Sequence, residues 1–223
     1  MFEWLKSKPT QQRVEIRDTL FGDMPLTDWI RVPAETMASE PWASFGRAKQ
    51  LIDSGDTGNA AVLLQKVLET PQLESRHYLQ AYSFLRALGV NPPPEKAKDV
   101  LGVVVEVAMK RGLDLVAGYA DHHARYYNYS GAGVVWERPN GTLDAAIDDL
   151  LRVGAVVARA IGPWKEARPP APPEGNTRIN LLVPSGLHFG EGPLETLERD
   201  RLGGPVIASA LRLMLELVKL TKK

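Results

Sequence analysis

The sequence predicts an α+β protein: an N-terminal helical region followed by a mostly antiparallel sheet with two longer covering helices. Three observations predict it. Apolar residues recur at three- and four-residue spacing between positions 41 and 88. After Pro92-Pro93-Pro94 that spacing gives way to short runs rich in valine and tyrosine, separated by turn residues. Two amphipathic runs then lie at 143–161 and 205–220.

Taken in order, the first ~40 residues specify no element. Phe2, Trp4, Leu5, Phe21 and Trp29 are scattered among polar residues and turn signals such as Gly22-Asp23 and Pro25. Large apolar groups are costly to leave in water, so these are expected to fold back onto the body. A first helix carries Ala48, Leu51 and Ile52 on one face and stops near Ser54-Gly55. Asp56 or Thr57 can cap the next, where Ala60, Leu63, Leu64, Val67 and Leu68 recur before Pro71. A third runs from about Glu74 to Leu88, with Tyr78, Ala81, Tyr82, Leu85 and Leu88 as its stripe.

Pro94 to Asp99 can make a turn or two of helix. Strands are then expected at Leu101–Met109, Leu113–Ala120, Ala124–Tyr129 and Val134–Glu137, and their short connections favour an antiparallel meander. Thr142 is the expected N-cap of a helix that ends at Gly162-Pro163. A proline-rich connector over 163–175 should wrap the surface in extended form. Another strand, Thr177–Val183, leads through a glycine-rich loop, 184–193, into a short helix. The last helix starts at Pro205. Ile207, Leu211, Met214, Leu215 and Val218 form one stripe, Val206, Leu213, Leu217 and Leu220 a second, with Ser209, Arg212, Glu216 and Lys219 as its polar side. So narrow a wet face implies enclosure: packing across the sheet is favoured, with a homo-oligomer contact through 205–220 as the alternative. The natural division is 1–91, helical, and 92–223, α+β, unless the two form one continuous unit.

The series Ala48, Leu51, Gly55, Ala60, Leu64, Val67 and Pro71 resembles one tetratricopeptide repeat, whose small and large apolar positions let paired helices interlock. The resemblance covers about residues 42–71 and implies a protein-binding hairpin. An ordinary helix hairpin packed on its own domain fits as well, because such arrays need at least three repeats.

Lys plus Arg equals Asp plus Glu, 27 of each, so neither nucleic acid nor an anionic membrane is an expected partner. The absence of cysteine excludes disulfides and thiolate chemistry, and fits a cytoplasmic protein. No apolar run reads as a signal peptide or a membrane span.

Chemistry-bearing residues concentrate between Gly112 and Glu137. Asp121-His122-His123 resembles the signature tripeptide of the DHH phosphoesterases, which implies metal binding, but that family's Asp-x-Asp and glycine-rich histidine motifs are not found. Adjacent histidines on a strand point to opposite faces and do not readily share one ion. No metal or cofactor is therefore expected, and Asp121, His122 and His123 are the candidates should a metal bind. His188, in the glycine-rich loop, is the expected partner of Asp121 or His122 for acid–base work, with Arg125, Tyr127 and Arg178 as candidate ligand-binding residues. The alternative for Arg125 and Arg178 is a cross-strand contact. The passage 178–193 also has the glycines of a phosphate cradle, although no lysine follows and Glu191 would repel an anion. Tyr126, Tyr127, Tyr129 and Trp136 could stack bases, against which stands the neutral charge. No catalytic set closes on sequence alone. The expectation is a non-enzymatic protein-interaction or assembly protein engaging another protein; the alternative is a small hydrolase or ligand-binding enzyme around Asp121, His122 and His188.

Overall fold

The computed structural model describes residues 16–25 and 39–221. Phe21 lies within them and is buried; Phe2, Trp4, Leu5 and Trp29 lie outside. The described helices and strands are α1 (Trp42–Asp53), α2 (Thr57–Glu69), α3 (Ser75–Ala87), β1 (Gly102–Met109), β2 (Gly112–Tyr119), β3 (Ala124–Tyr127), β4 (Gly133–Trp136), α4 (Asp144–Ala160), β5 (Asn176–Val183), β6 (Gly186–Pro193), α5 (Leu194–Arg199) and α6 (Gly203–Leu220). The fold is α+β.

Asp56 caps α2 by accepting from the Asn59 N–H. Glu74 and His77 close α3 reciprocally, with the Glu74 N–H donating to His77 Nδ1 at 3.3 Å. Phe45, Ala48, Ala60, Leu64, Val67 and Phe84 bury the apolar faces of these three helices against one another. No fourth helix follows: 94–98 form turns only. Thr142 does not cap α4 through its side chain; its N–H instead donates to Asn140 Oδ1, and Leu143 precedes the helix.

The six strands are antiparallel in the order β4-β3-β2-β1-β5-β6. The expected meander is β1 to β4, and β5 adds to the free side of β1. The stretch 184–193 is not a loop. Pro184-Ser185 makes a tight turn and Gly186–Pro193 returns along β5, pairing Leu181 with His188 and Ile179 with Gly190. Leu187, Phe189 and Glu191 alternate with His188, Gly190 and Gly192, which is strand periodicity.

One sheet face carries Val103, Val105, Val116, Ala124, Ile179 and Leu181, and both α4 and α6 pack on it. Gly154 lets α4 approach closely: a Cβ there would meet Val103 at 2.7 Å. The opposite face carries Val104, Leu115, Ala117, Tyr119 and Leu182, covered by Leu20 and Phe21 and by Leu79 of α3. The helical region and the sheet therefore share core.

That second face also holds charge at its centre. Glu106 is fully buried and accepts from Arg17 at 2.5 and 3.2 Å. Arg178, on the neighbouring strand, lies 3.6 Å from Glu106 and pairs with Glu191 on β6. Asn180 donates to the same Glu106 carboxylate at 3.0 Å. The proline-rich connector closes the face: Pro169 O accepts from Arg17, Pro170 O from Arg178, and Arg168 grips Asp18 and Asp23.

The last helix begins at Gly203, two residues before Pro205, and is not enclosed. Val206, Ala210, Leu213 and Leu217 take the core, whereas Leu211 and Leu215 remain 51% and 48% exposed. Ser209, expected on the wet side, is buried and donates to Asp149 of α4, which Arg212 also contacts. The sheet and α4 take Ile207 of the first stripe and Val206, Leu213 and Leu217 of the second, which leaves Leu211 and Leu215 to solvent.

Candidate functional site

The β2–β3 turn is built by its aspartate. Asp121 Oδ1 accepts from the His123 N–H at 3.0 Å, an Asx turn, and His122 takes a left-handed φ of 63°. Asp121 Oδ2 accepts from the Ser75 N–H at 2.7 Å, while the Asp121 N–H donates to Ser75 Oγ at 3.0 Å. The turn is thereby tied to the start of α3. The two histidines diverge. His122 Nε2 lies 2.9 Å from Asp148 on α4, whereas His123 turns toward Asp121, Glu137 and Glu74, with Nδ1 3.6, 3.9 and 4.0 Å from their nearest carboxylate oxygens.

Two arginines frame this cluster. Arg76 pairs with Glu74 at 2.5 Å and Arg125 with Glu137 at 2.6 Å. Burial pushes the Glu74 carboxyl up, but Arg76, His77 and His123 outweigh it and its pKa falls below the ordinary value. Burial lowers the pKa of His77, partly offset by Glu74. The neutral imidazole fits its role as acceptor of the Glu74 N–H. A cavity of about 300 Å³ opens beside the cluster, lined by Met24, Trp42, Phe45, Glu74, His77 and Gln80 among others. Comparison with protein-family models, with curated proteins and with solved structures gave no match. The residues themselves carry the functional reading.

The composite site expected from the sequence does not assemble. His188 lies on the helix-covered face, three strands from β2 in the sheet order, so roughly 14 Å separates it from the strand leading to Asp121. Arg125 and Tyr127 share the opposite face with Arg178, but Arg178 and Tyr127 are likewise three strands apart in register. Both arginines are buried in carboxylate pairs, leaving no guanidinium presented to a ligand. Tyr126 and Trp136 pack toward the helices while Tyr127 joins the other core, so the aromatics form no single stacking platform. The phosphate cradle falls with the loop, since its backbone pairs with β5. Glu74 escaped sequence reading because nothing local connects it to His123, whereas Glu137 was within reach: the β3–β4 hairpin pairs Ala124 with Trp136 and so sets Glu137 opposite His123. For Glu74 the available signal was the Glu74/His77 spacing at a helix start.

His188 is fully buried, and neither ring nitrogen has a well-formed hydrogen bond among the described residues. Burial lowers its pKa, Lys98 lowers it further, and the Ala158 backbone offsets this only in part. Above the ordinary imidazole value of 6.5 the ring is neutral whether the chain is folded or not. Below it the unfolded chain takes up the proton first, so stability falls as pH drops from 6.5 toward the folded pKa. His188→Leu removes the orphaned nitrogens and this slope. It is expected to raise stability by about 1 kcal/mol near neutral pH, and by more at pH 5. Chemical denaturation at both pH values measures it. A loss of stability at pH 5 would contradict this account of the residue.

Proposed function

We infer that the chain is a non-enzymatic protein-interaction or assembly protein, with the outer face of α6 as its docking surface and a second copy as the occupant. The observation that carries this reading is the exposure of Leu211 and Leu215, one turn apart, on a helix whose inner face is fully committed to the core. Ala208, also exposed, extends the stripe by a turn. Arg212, Glu216 and Lys219 flank it with both signs of charge, which suits a surface pairing with itself. The zero net charge of the chain opposes no such approach.

The three residues of the alternative site are meanwhile held apart. Asp121 holds two backbone N–H groups, His122 faces Asp148, and His188 is sealed under α4. A hydrolase or ligand-binding enzyme built on those three would need His188 beside Asp121, and it lies across the sheet on the other face.

Multi-angle light scattering tests the reading. Wild type should be a dimer or larger at high micromolar concentration, and Leu211→Glu/Leu215→Glu should be monomeric with its Tm little changed, because both positions face solvent. A wild type that stays monomeric at every attainable concentration sinks it.

A further inference from the structure

We propose that Glu74, His123 and Glu137 bind a divalent transition-metal ion, Zn²⁺ or Mn²⁺, where the helical layer meets the turn of the sheet. Three elements supply the donors: the N-cap of α3, the β2–β3 turn and the residue after β4, the last two facing each other across the β3–β4 hairpin. One ligand atom from each lies within 4.8 Å of the other two. A cation held at about 2.0–2.2 Å by nitrogen and oxygen sets its donors roughly 3–4.4 Å apart. Shifts of a few tenths of an ångström in side chains that are only partly buried complete that geometry.

Hydrogen bonding does not account for the arrangement. His123 Nδ1 is buried and has no hydrogen-bond partner among the described residues, although three carboxylates surround it. All three distances are too long for a hydrogen bond, and those to Glu137 and Glu74, 3.9 and 4.0 Å, suit donors that share an ion. Each carboxylate keeps a lone pair for the ion. Arg125 takes Glu137 Oε1 and leaves Oε2 turned toward His123; on Glu74, Oε2 both faces His123 and accepts from Arg76, so the ion would take its second lone pair. Asp121 acts differently. Its oxygens accept the Ser75 and His123 N–H groups, so it fixes the turn that aims the imidazole.

The donor chemistry selects the ion. One imidazole with carboxylates, and no thiolate, suits zinc or manganese; calcium takes six to eight oxygens, and magnesium is held through carboxylates and water. Glu74, Asp121 and Glu137 together outweigh Arg76 and Arg125 by one negative charge, which draws a cation while keeping the attraction modest. A bound ion would cross-link α3 to the sheet and stand at the rim of the cavity that Glu74 also lines. This proposal is independent of the α6 surface.

The test uses the full chain, stripped with chelator and titrated with ZnCl₂ and MnCl₂ by calorimetry and by thermal denaturation. One ion per chain is expected, with a saturable rise in Tm. His123→Ala and Glu137→Gln should each weaken binding by about tenfold or more. Glu137 is more than half exposed, so that variant should stay folded. His122→Ala and His188→Leu should bind as wild type does, since neither imidazole reaches the cluster. Absence of saturable binding of either metal to wild type overturns the proposal. So does binding that survives undiminished in both His123→Ala and Glu137→Gln, which would mark adventitious capture elsewhere.

Discussion

Glu106→Ala is expected to remove about 3–5 kcal/mol of stability, the range for breaking a buried ion pair from one side. Glu106 is fully buried at the centre of the sheet and accepts from Arg17 and Asn180, with Arg178 3.6 Å away. Truncation leaves Arg17 with the Pro169 carbonyl as its one remaining hydrogen-bond partner among the described residues, in a nearly dry site. For a chain of this length the loss corresponds to a fall in Tm of roughly 10 °C. Arg17→Met/Glu106→Leu should recover most of it. That pair removes both charges together and leaves Arg178 balanced by Glu191. Urea denaturation of the three proteins decides the matter, and a loss below about 1 kcal/mol in Glu106→Ala would show that the buried charge is dispensable.

The same substitution should have a local signature. Arg17 belongs to the segment 16–25 that covers this face, and its hold on Glu106 is one of few polar ties to the sheet, together with the Leu20 carbonyl accepting from Tyr119. The Tyr119 phenol is buried and its pKa is raised, first by burial, so it stays protonated as the donor. Amide exchange at residues 16–22 should therefore accelerate in Glu106→Ala more than exchange in β1 and β5 does.

The architecture was legible where side-chain chemistry and period agreed. Val103, Val104, Val105 and Val107 announced a strand, and the Leu143-to-Ile161 period announced α4. Glycines misled at 184–193: Gly190 and Gly192 suggested a loop, yet Leu187, Phe189 and Glu191 alternate as a strand requires. The setting of α6 was ambiguous, because apolar residues cover most of its circumference and both stripes contribute to the core. The site was the least legible part. Asp121 and His123 were visible as candidates, but Glu74 and Ser75 lie at the start of α3, and pairing across that separation leaves no mark on local pattern; only Glu137, opposite His123 across the β3–β4 hairpin, follows from strand register. His188 was misplaced for a related reason. Its strand parity puts it beside Leu181, under a helix, and parity could not be assigned while the segment was taken for a loop.

Both covering helices meet the sheet at Gly118, and that contact supports the second large effect. Leu213 of α6 and Leu150 of α4 are fully buried, and a Cβ added at Gly118 would lie 3.2 Å from a terminal methyl of each. The missing side chain in β2 is the socket into which both leucines insert. Leu213→Ala should therefore cost about 2–5 kcal/mol, from lost transfer energy and from a cavity that two rigid helices cannot close. Gly118→Ala should cost about 1–3 kcal/mol, because both methyls must retreat from a packed layer. The two changes should not add. In Leu213→Ala the new methyl at position 118 enters space already vacated, so the double variant should be more stable than the sum predicts by about 1 kcal/mol or more. A double-mutant cycle by chemical denaturation measures the coupling. Strict additivity would mean that the socket relaxes independently of α6, and that α4 alone sets the spacing of the helical layer.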